Sequence, residues 1–189
     1  ARSVMPGAAK AIGSPDCPRR AVYRSAARVM TVMKIAIGCD EAGYDLKQVI
    51  VEYVRSLGVQ VDDLGCYSKE PVDYPDVAEH VARQVAAKKY ERGILICGTG
   101  IGMAIVANKV PGVRAAQCHD VYSAERARKS NNAQIMTMGA RVIGPELAKA
   151  IVKVWLESEF AGGRSSRKVE KVDEVDRRFR RQDGATYPV

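Results

Sequence analysis

The sequence predicts an α/β protein in which a parallel sheet is covered by helices on both faces. From Met33 onward, short apolar segments alternate with longer segments whose apolar residues recur at helical spacing, and the joints between them are short. Strands that alternate with helices in this way pair in parallel, because each helix carries the chain back to the start of the next strand. A composition of 47% hydrophobic and 28% charged residues is typical of such a globular domain.

The predicted elements alternate along the chain. Five apolar runs are predicted as strands, at residues 34–39, 59–64, 93–97, 113–118 and 133–138. Six amphipathic segments are predicted as helices, at residues 44–57, 75–90, 101–110, 121–129, 145–160 and 166–181. Asp73-Tyr74-Pro75 opens the second helix, since proline is favoured in a first helical turn. A second interpretation is that the Tyr74 hydroxyl faces a functional site.

Polar residues gather where the predicted strands end. The five ends read Cys39-Asp40-Glu41, Gly65-Cys66, Cys97-Gly98-Thr99, Cys118-His119-Asp120 and Gly139-Ala140-Arg141. Parallel sheets bind their ligands beyond the carboxyl ends of the strands. We therefore predict the functional site at this edge of the sheet, with His119 and Asp120 as a candidate acid/base pair.

Cys97 is the main candidate for a catalytic residue. It ends the apolar run 93–97 and is followed by Gly98-Thr99-Gly100-Ile101-Gly102, which opens the third predicted helix. Glycines let backbone N–H groups approach a ligand, and a helix N-terminus favours an anion or a thiolate. This segment predicts a base or nucleophile beside a cradle for negative oxygen. The alternative is that Cys97 is a buried structural cysteine.

The glycine loop does not match the common nucleotide-binding motifs. The third glycine of a G-x-G-x-x-G fingerprint would fall where Met103 stands, and no G-K-[ST] follows as in a P-loop. A cysteine phosphatase loop would also want an arginine at Met103. The remaining interpretation is a cradle for a monophosphate or a developing oxyanion.

The cysteines indicate a reducing environment. There are five of them, at positions 17, 39, 66, 97 and 118, and no C-x-x-C motif occurs. An odd number without metal-ligand spacing argues against a disulfide framework and against a structural zinc site. We expect no metal, no cofactor and a cytoplasmic location. Cys39, Cys66 and Cys118 are predicted to be small core residues.

The formal charge of +8 is concentrated at the two ends of the chain. Residues 1–32 hold six Lys or Arg and one Asp, residues 164–189 hold eight Lys or Arg and five acidic residues, and the part between them is neutral. A neutral central part argues against a nucleic-acid partner. No apolar run approaches the roughly 20 residues of a membrane span, so no membrane partner is expected.

The charged ends are predicted to differ in structure. Residues 1–32 lack periodicity, which predicts a disordered extension or a start-site artefact, with an organellar transit peptide as the alternative. Residues 33–163 form the main domain, and residues 164–189 form a basic helix and tail of the same domain. Arg164, Arg167 and Lys168 follow two glycines, and they form either a phosphate site or a solvated face.

These features together resemble the ribose-5-phosphate isomerase B family, which also includes galactose-6-phosphate isomerase subunits. The similarity covers roughly residues 33–180 and rests on the segments Gly38-Cys39-Asp40, Asp73-Tyr74-Pro75, the stretch 93–100, Ala107-Asn108-Lys109, the stretch 112–115, Tyr122-Ser123-Ala124, the stretch 139–144 and Gly162-Gly163-Arg164. The resemblance implies a three-layer α/β/α sandwich with a five-stranded parallel sheet, Rossmann-like in arrangement. It also implies metal-free aldose–ketose isomerisation of a sugar phosphate through an enediolate, in a homodimer or dimer of dimers with shared sites.

The resemblance also implies a role for each site residue. Cys97 would be the base that moves a proton between C1 and C2, and Thr99 would assist proton exchange between the oxygens. The enediolate oxygens would be held by backbone N–H groups of Gly98, Gly100, Ile101, Gly102 and Met103. The residues implied at the sugar are Asp40, Glu41, Tyr74, Ser130 and Asn131. The residues implied at the phosphate are Arg141, Arg164 and Lys168.

The chain departs from the family pattern at four positions. Glu41 stands where the family usually has histidine, and Ser130 stands where a histidine is thought to open the sugar ring. Ser165 replaces a frequent histidine, and Lys168 replaces an arginine. His119 is a candidate substitute for the ring-opening residue.

These departures leave the substrate open to more than one interpretation. The leading prediction is conversion of ribose 5-phosphate to ribulose 5-phosphate. The alternative is conversion of D-erythrulose 4-phosphate to D-erythrose 4-phosphate, since a tetrose phosphorylated on O4 cannot close a furanose ring and needs no ring opener. A second alternative is a phosphosugar-binding module without catalysis.

Overall fold

The computed structural model describes residues 33–180. The strands are β1 (Lys34–Cys39), β2 (Gln60–Asp63), β3 (Arg92–Cys97), β4 (Ala115–Gln117) and β5 (Ile135–Gly139). The α-helices are α1 (Tyr44–Ser56), α2 (Tyr74–Ala86), α3 (Ile101–Lys109), α4 (Val121–Lys129), α5 (Pro145–Glu157) and α6 (Ser166–Arg180). Short 3-10 turns, Glu41–Gly43 and Gly163–Ser165, precede α1 and α6. All the predicted strands and helices are present.

Two helices end earlier than the periodicity predicts. Helix α2 ends at Ala86, because the chain then turns through Lys88, whose φ of 58° lies in the left-handed region. Helix α5 ends at Glu157, because Ser158 is extended, with φ −88° and ψ 135°, and is buried. In both places local backbone conformation stops a helix whose apolar pattern continues.

The five strands form one parallel sheet in the order β2-β1-β3-β5-β4. Strand β4 keeps only Ala115–Gln117 of the predicted run 113–118, and it lies at the sheet edge with β5 as its one neighbour. The chain moves outward from β1 to β2 and then crosses back through α2 to β3. The direction of winding therefore changes between β1 and β3, and such a point opens a crevice at the carboxyl ends of the strands.

The helices cover the sheet as two layers. Helices α1, α4 and α5 pack on one face and α2 and α3 on the other, which confirms the predicted three-layer architecture. Side chains alternate between these layers along β3. Ile94 and Ile96 face α1 and α5, whereas Leu95 and Cys97 face α2 and α3. This alternation places the Cys97 thiol on the side of the sheet where α3 begins.

The last helix lies against the edge of the sheet that β4 forms. Arg114 Nη1 and Asp173 Oδ1 are 2.5 Å apart, and the Gly112 N–H donates to Asp176 Oδ2 at 3.1 Å. Val169 is the buried apolar residue of α6. These contacts attach α6 to the segment between α3 and β4.

Some predictions fall on other parts of the chain. The extension at residues 1–32, with Cys17, and the tail at 181–189 lie outside the described residues. None of the described helices is both long enough and apolar enough to cross a membrane.

Candidate active site

The candidate site lies at the centre of the sheet, where β1, β3 and β5 end. The Asp40 N–H donates to the Ile96 carbonyl oxygen at 3.2 Å. On the other side of β3, the Ala140 N–H donates to the Cys97 carbonyl oxygen at 2.8 Å. Three of the predicted strand ends, those that carry Asp40, Cys97 and Arg141, are therefore neighbours in space.

The Cys97 thiol is buried and hydrogen-bonded. Its residue is 5% exposed, and the Gly100 N–H donates to Sγ at 3.0 Å. Gly100 has a φ of 79°, and a Cβ added there would lie 2.8 Å from the carbonyl carbon of Met138. Only glycine therefore fits this turn. Charged sulfur is a better hydrogen-bond acceptor than a neutral thiol, so this N–H is placed to hold the sulfur if it carries charge during a reaction.

Helix α3 begins directly beside this thiol. The Ile101 N–H donates to Thr99 Oγ1 at 3.3 Å. Within residues 33–180, no group accepts a hydrogen bond from the N–H groups of Gly102 and Met103. These two donors and the partial positive charge of the helix N-terminus can hold an anion. The geometry is one that an oxyanion cradle, as predicted for this loop, would need.

Tyr74, the first residue of α2, packs its ring on the same helix terminus. A Cβ added to Gly102 would lie 2.5 Å from Tyr74 Cε2 and 2.9 Å from its hydroxyl oxygen. The absence of a side chain at Gly102 thus makes room for the ring. The tyrosine hydroxyl is placed at the N-terminus of α3, as expected for a residue that faces the site.

Asp40 and Arg141 bring opposite charges to the site. Asp40 is 8% exposed, and its Oδ1 accepts the Gly43 N–H at 3.0 Å. Burial raises the pKa of the Asp40 carboxyl above its usual value, whereas the Gly43 hydrogen bond and the positive charge of Arg141 act against this. The Arg141 side chain lies over Gly98, and a Cβ added to Gly98 would be 3.6 Å from Arg141 Cδ.

Glu41 has a partner within the chain. Its Oε2 accepts the Val72 N–H at 3.2 Å, which ties the end of β1 to the loop before α2. Sequence analysis placed Glu41 at the sugar. In the structure, one carboxylate oxygen holds the loop that leads into Tyr74.

His119 is close to the site, but one of its nitrogens is occupied. Nε2 accepts the Gly139 N–H at 2.9 Å, and Gly139 pairs with Cys97 in the sheet. Because Nε2 accepts, this partner assigns the ring proton to Nδ1. His119 therefore lacks a free basic nitrogen in this conformation. Its neighbour Asp120 caps α4 by accepting the Ser123 N–H at 2.7 Å, and the hydrogen bonds from Ser123 lower the Asp120 pKa.

The remaining predicted residues lie elsewhere in the chain. Ser130, Asn131 and Lys168 line a separate cleft of about 440 Å³ together with Asn108, Arg114 and Ser165. Arg164 lies in the 3-10 turn that leads into α6. We call Ser130, Asn131, Arg164 and Lys168 the distal group. The structure does not place the distal group beside Cys97 of the same chain.

The topology explains this separation. Helix α4 starts at the carboxyl edge of the sheet and runs back, so Ser130 and Asn131 lie at the amino edge, just before β5. Cys97 lies at the carboxyl edge, and one strand length of roughly 15 Å separates the two edges. The resemblance gave these residues one site without saying which chain supplies each of them.

Two functional neighbours of Cys97 were missed by sequence analysis. Gln117 Nε2 donates to the Thr99 carbonyl oxygen at 2.6 Å, and Thr137 Oγ1 donates to the Gly100 carbonyl oxygen at 2.8 Å. Both residues lie on strands next to the glycine loop, β4 and β5. A fully buried threonine within the apolar run of β5 was the one available signal.

No group of three or more His, Cys, Asp or Glu side chains in the described part of the chain could hold a metal ion. The donors at the candidate site are backbone N–H groups, one thiol, one arginine and the hydroxyls of Thr99 and Tyr74. That set suits an oxygen anion better than a cation.

Comparisons with known proteins point to one family. A family model described as Ribose/Galactose Isomerase matches residues 35–172. A ribose-5-P isomerase B of Listeria innocua is 58% identical over 148 residues, which make up 78% of this chain and 100% of the relative. A D-erythrulose-4-phosphate isomerase of Pectobacterium atrosepticum is 58% identical over 145 residues, 75% of this chain and 93% of the relative. The solved ribose-5-phosphate isomerase B of Clostridium thermocellum is similar with a TM-score of 0.76 at 46% identity, covering 78% of this chain and 99% of that chain.

Proposed function

Because the chain belongs to the ribose/galactose isomerase family and is a sugar-phosphate isomerase, we propose that it converts ribose 5-phosphate to ribulose 5-phosphate through an enediolate. The observation that supports this most is the Cys97 thiol, which receives the Gly100 N–H at 3.0 Å directly beside the N-terminus of α3. A base and an anion cradle are the two parts that an enediolate mechanism needs.

The proton movements balance without a metal. The Cys97 thiolate removes the proton from C2 of the open-chain aldose, and the electron pair of that C–H bond moves toward O1 to form the enediolate. The proton on O2 passes to O1, and the Thr99 hydroxyl assists this exchange. The Cys97 thiol then returns its proton to C1. The product is the ketose, and the thiolate is regenerated.

The N-terminus of α3 stabilises the charge that develops on the oxygens. The N–H groups of Gly102 and Met103 have no acceptor among the described residues, so they are available to O1 and O2. Donors that are already oriented need no reorganisation as charge forms. Tyr74 and Asp40 border this place and contact the sugar hydroxyls, and Arg141 supplies positive charge next to Gly98.

We propose that the complete site uses two copies of the chain in a homodimer. The distal group contains Arg164 and Lys168, the cations expected at the phosphate, yet these lie away from Cys97 in one chain. A second copy that presents its distal group to Cys97 brings all the parts together, and a two-fold dimer does so twice.

The surface of α3 supports a covered interface beside Cys97. Ile101 is 52% exposed and Ile105 is 54% exposed in the single chain. Residues 101–107 of α3 carry no polar side chain on any side, and a helical segment of this kind is normally buried all round. A second copy on this face would bury both isoleucines and close the site from water.

The tetrose reaction is the second candidate. Ser130 lies in the cleft of the distal group and has no basic nitrogen, and His119 Nε2 already accepts the Gly139 N–H. A substrate that stays open-chain needs no ring opener, and D-erythrulose 4-phosphate is such a substrate. Of the two relatives that are 58% identical, the Listeria innocua protein is named as a ribose-5-P isomerase and the Pectobacterium atrosepticum protein as a D-erythrulose-4-phosphate isomerase.

Initial rates with both substrates test this proposal. We expect kcat/KM for ribose 5-phosphate to equal or exceed that for D-erythrulose 4-phosphate. A clear preference for the tetrose would replace the substrate assignment, and Ser130→His should then improve the ribose reaction selectively. Binding of both sugars without turnover would identify a phosphosugar-binding module instead.

The cysteines support a cytoplasmic location. All four cysteines of the described range are buried and free. Burial raises the pKa of Cys118 to about 12, which keeps that thiol inert. Free structural thiols are typical of reducing compartments.

A further inference from the structure

One peptide group connects Gln117 to the sulfur of Cys97. The Thr99 carbonyl oxygen accepts Gln117 Nε2 at 2.6 Å, and the Gly100 N–H donates to Cys97 Sγ at 3.0 Å. These two groups belong to the same peptide unit. A trans peptide is planar, and its C=O and N–H point in opposite directions. A donor on the carbonyl side therefore fixes the direction of the N–H on the sulfur side.

The next peptide group is held in the same way. Thr137 Oγ1 donates to the Gly100 carbonyl oxygen at 2.8 Å. The Ile101 N–H of that unit points to Thr99 Oγ1 at 3.3 Å. Strands β4 and β5 thus supply one side-chain donor each to two consecutive carbonyls of the loop.

Gly100 is the point where such support is needed. Glycine adopts a φ of 79° at little cost, but it adopts other backbone conformations as easily. Gly100 therefore does not fix this conformation by itself. Gly100 is the N-cap residue of α3 and has no side chain that could cap the helix. The peptide planes of the loop would rotate more freely if the carbonyl partners were removed, and the N–H would then leave the sulfur.

We propose that Gln117 is a positioning residue for the isomerase reaction, because it holds the Thr99–Gly100 peptide so that its N–H stays on Cys97 Sγ. The aligned N–H stabilises the thiolate that removes the substrate proton. Gln117 acts through this peptide and touches neither the sulfur nor the substrate. The inference deepens the proposed function, since it rests on Cys97 as the base.

The variant Gln117→Met tests the proposal, because methionine keeps the length of the side chain and removes the N–H donor. Gln117 is exposed at the end of an edge strand, so the variant should fold. The control is Gln134→Met, near the start of β5. It also removes a glutamine donor to a backbone carbonyl, that of Gly112 at 3.0 Å, and in addition the acceptor of the Arg114 N–H at 2.8 Å, so it is at least as disruptive locally. Thermal unfolding of both variants verifies that they are folded.

Two readouts are taken on each variant. The first is the rate of Cys97 alkylation by iodoacetamide as a function of pH, followed by mass spectrometry of the Cys97 peptide. The second is the separation of kcat from KM. For Gln117→Met we expect the midpoint of the curve of alkylation rate against pH to rise by roughly 0.5–1 pH unit. We also expect kcat to fall about 10-fold and KM to change less than about 2-fold. Gln134→Met should leave both readouts near the wild type.

The outcomes separate this inference from the proposed function. A lower unfolding temperature with an unchanged alkylation profile would show a merely structural role for Gln117 and overturn the inference. A shifted profile with unchanged turnover would support the positioning of Cys97 and contradict its role as the base. Equal effects of Gln117→Met and Gln134→Met on the profile would also overturn the inference.

Discussion

Asp40 is a buried carboxyl at the candidate site, and its environment predicts a dependence of stability on pH. Burial raises the pKa of this carboxyl in the folded state above its usual value. The folded state therefore binds the proton more tightly than the unfolded state does. The free energy of unfolding therefore falls as the pH rises from about 4 through the raised pKa that this carboxyl has in the folded state.

Asp40→Asn should remove this loss. Asparagine keeps a side-chain carbonyl for the Gly43 N–H and carries no charge that burial disfavours. We expect the free energy of unfolding of the variant, relative to the wild type, to increase between about pH 4 and about pH 7. Urea unfolding at both pH values measures this difference. A difference that is constant, or that decreases with pH, would refute the assignment.

At the residue scale, the sequence predicted the residues whose own side chains or N–H groups take part in the proposed chemistry. A thiol at a strand end, followed by glycines, indicated Cys97 and the α3 terminus. Gln117 was not predictable, because its effect passes through the backbone carbonyl of a residue on another element. Glu41 was placed at the sugar, although a backbone N–H of Val72 occupies one of its oxygens. Hydrogen-bond partners that only the tertiary structure brings together leave no periodic pattern in the sequence.

At the scale of elements, a buried ion pair joins α1 to the last residue of β2. The Lys47 side chain is fully buried, and its Nζ lies 2.6 and 2.8 Å from the two carboxylate oxygens of Asp63. The Cys66 carbonyl oxygen accepts a further hydrogen bond from Nζ. This contact holds the loop that follows β2 against α1.

Removal of the Asp63 carboxylate should leave the buried Lys47 charge without its ionic partner. Asp63→Ala is expected to cost about 3–5 kcal/mol in the free energy of unfolding, because the Lys47 ammonium stays buried without its partner. Asp45→Ala is the matched control, since it breaks the exposed ion pair with Lys69 at 2.7 Å. That pair should contribute less than about 1 kcal/mol. Similar losses for the two variants in urea unfolding would contradict the account.

Element positions were largely predictable, and element ends were not. Alternating apolar runs and helical periodicity located every strand and helix of the described range. The early end of α2 depends on the left-handed conformation of Lys88, which the apolar pattern does not encode. The reduced length of β4 depends on its place at the sheet edge, which follows from strand order and not from local sequence.

At the scale of the whole molecule, the expected site residues are divided between two edges of the sheet, and this division is the basis for the proposed second chain. The expected cations Arg164 and Lys168 belong to the distal group, whereas Cys97 lies at the opposite edge. The resemblance implied sites shared between chains, but the sequence did not indicate which residues lie at which edge of the sheet, because the edge at which a residue lies depends on the direction of the helix that carries it.

Mixed dimers should test the shared site. The variant Cys97→Ala and the double variant Arg164→Ala/Lys168→Ala are each expected to be nearly inactive. When equal amounts are unfolded and refolded together, about a quarter of all sites should be intact, because half of the dimers are mixed and each has one intact site. A chain that carries all three changes, mixed with Cys97→Ala, is the control and should give no recovery. Equal failure of both mixtures would contradict a shared site.

Cys97 is proposed to move the substrate proton, and exchange of that proton with heavy water reports on this role. Ribose 5-phosphate is incubated in heavy water with the wild type and with Cys97→Ala, and deuterium at the carbon next to the carbonyl is followed by NMR. We predict that the wild type incorporates deuterium at C1 of the ketose or C2 of the aldose. Cys97→Ala should incorporate it at least about 100-fold more slowly, since a positioned general base contributes about 10²–10⁴ in rate. Incorporation by the Ala variant at a rate near that of the wild type would contradict the role of Cys97 as the base.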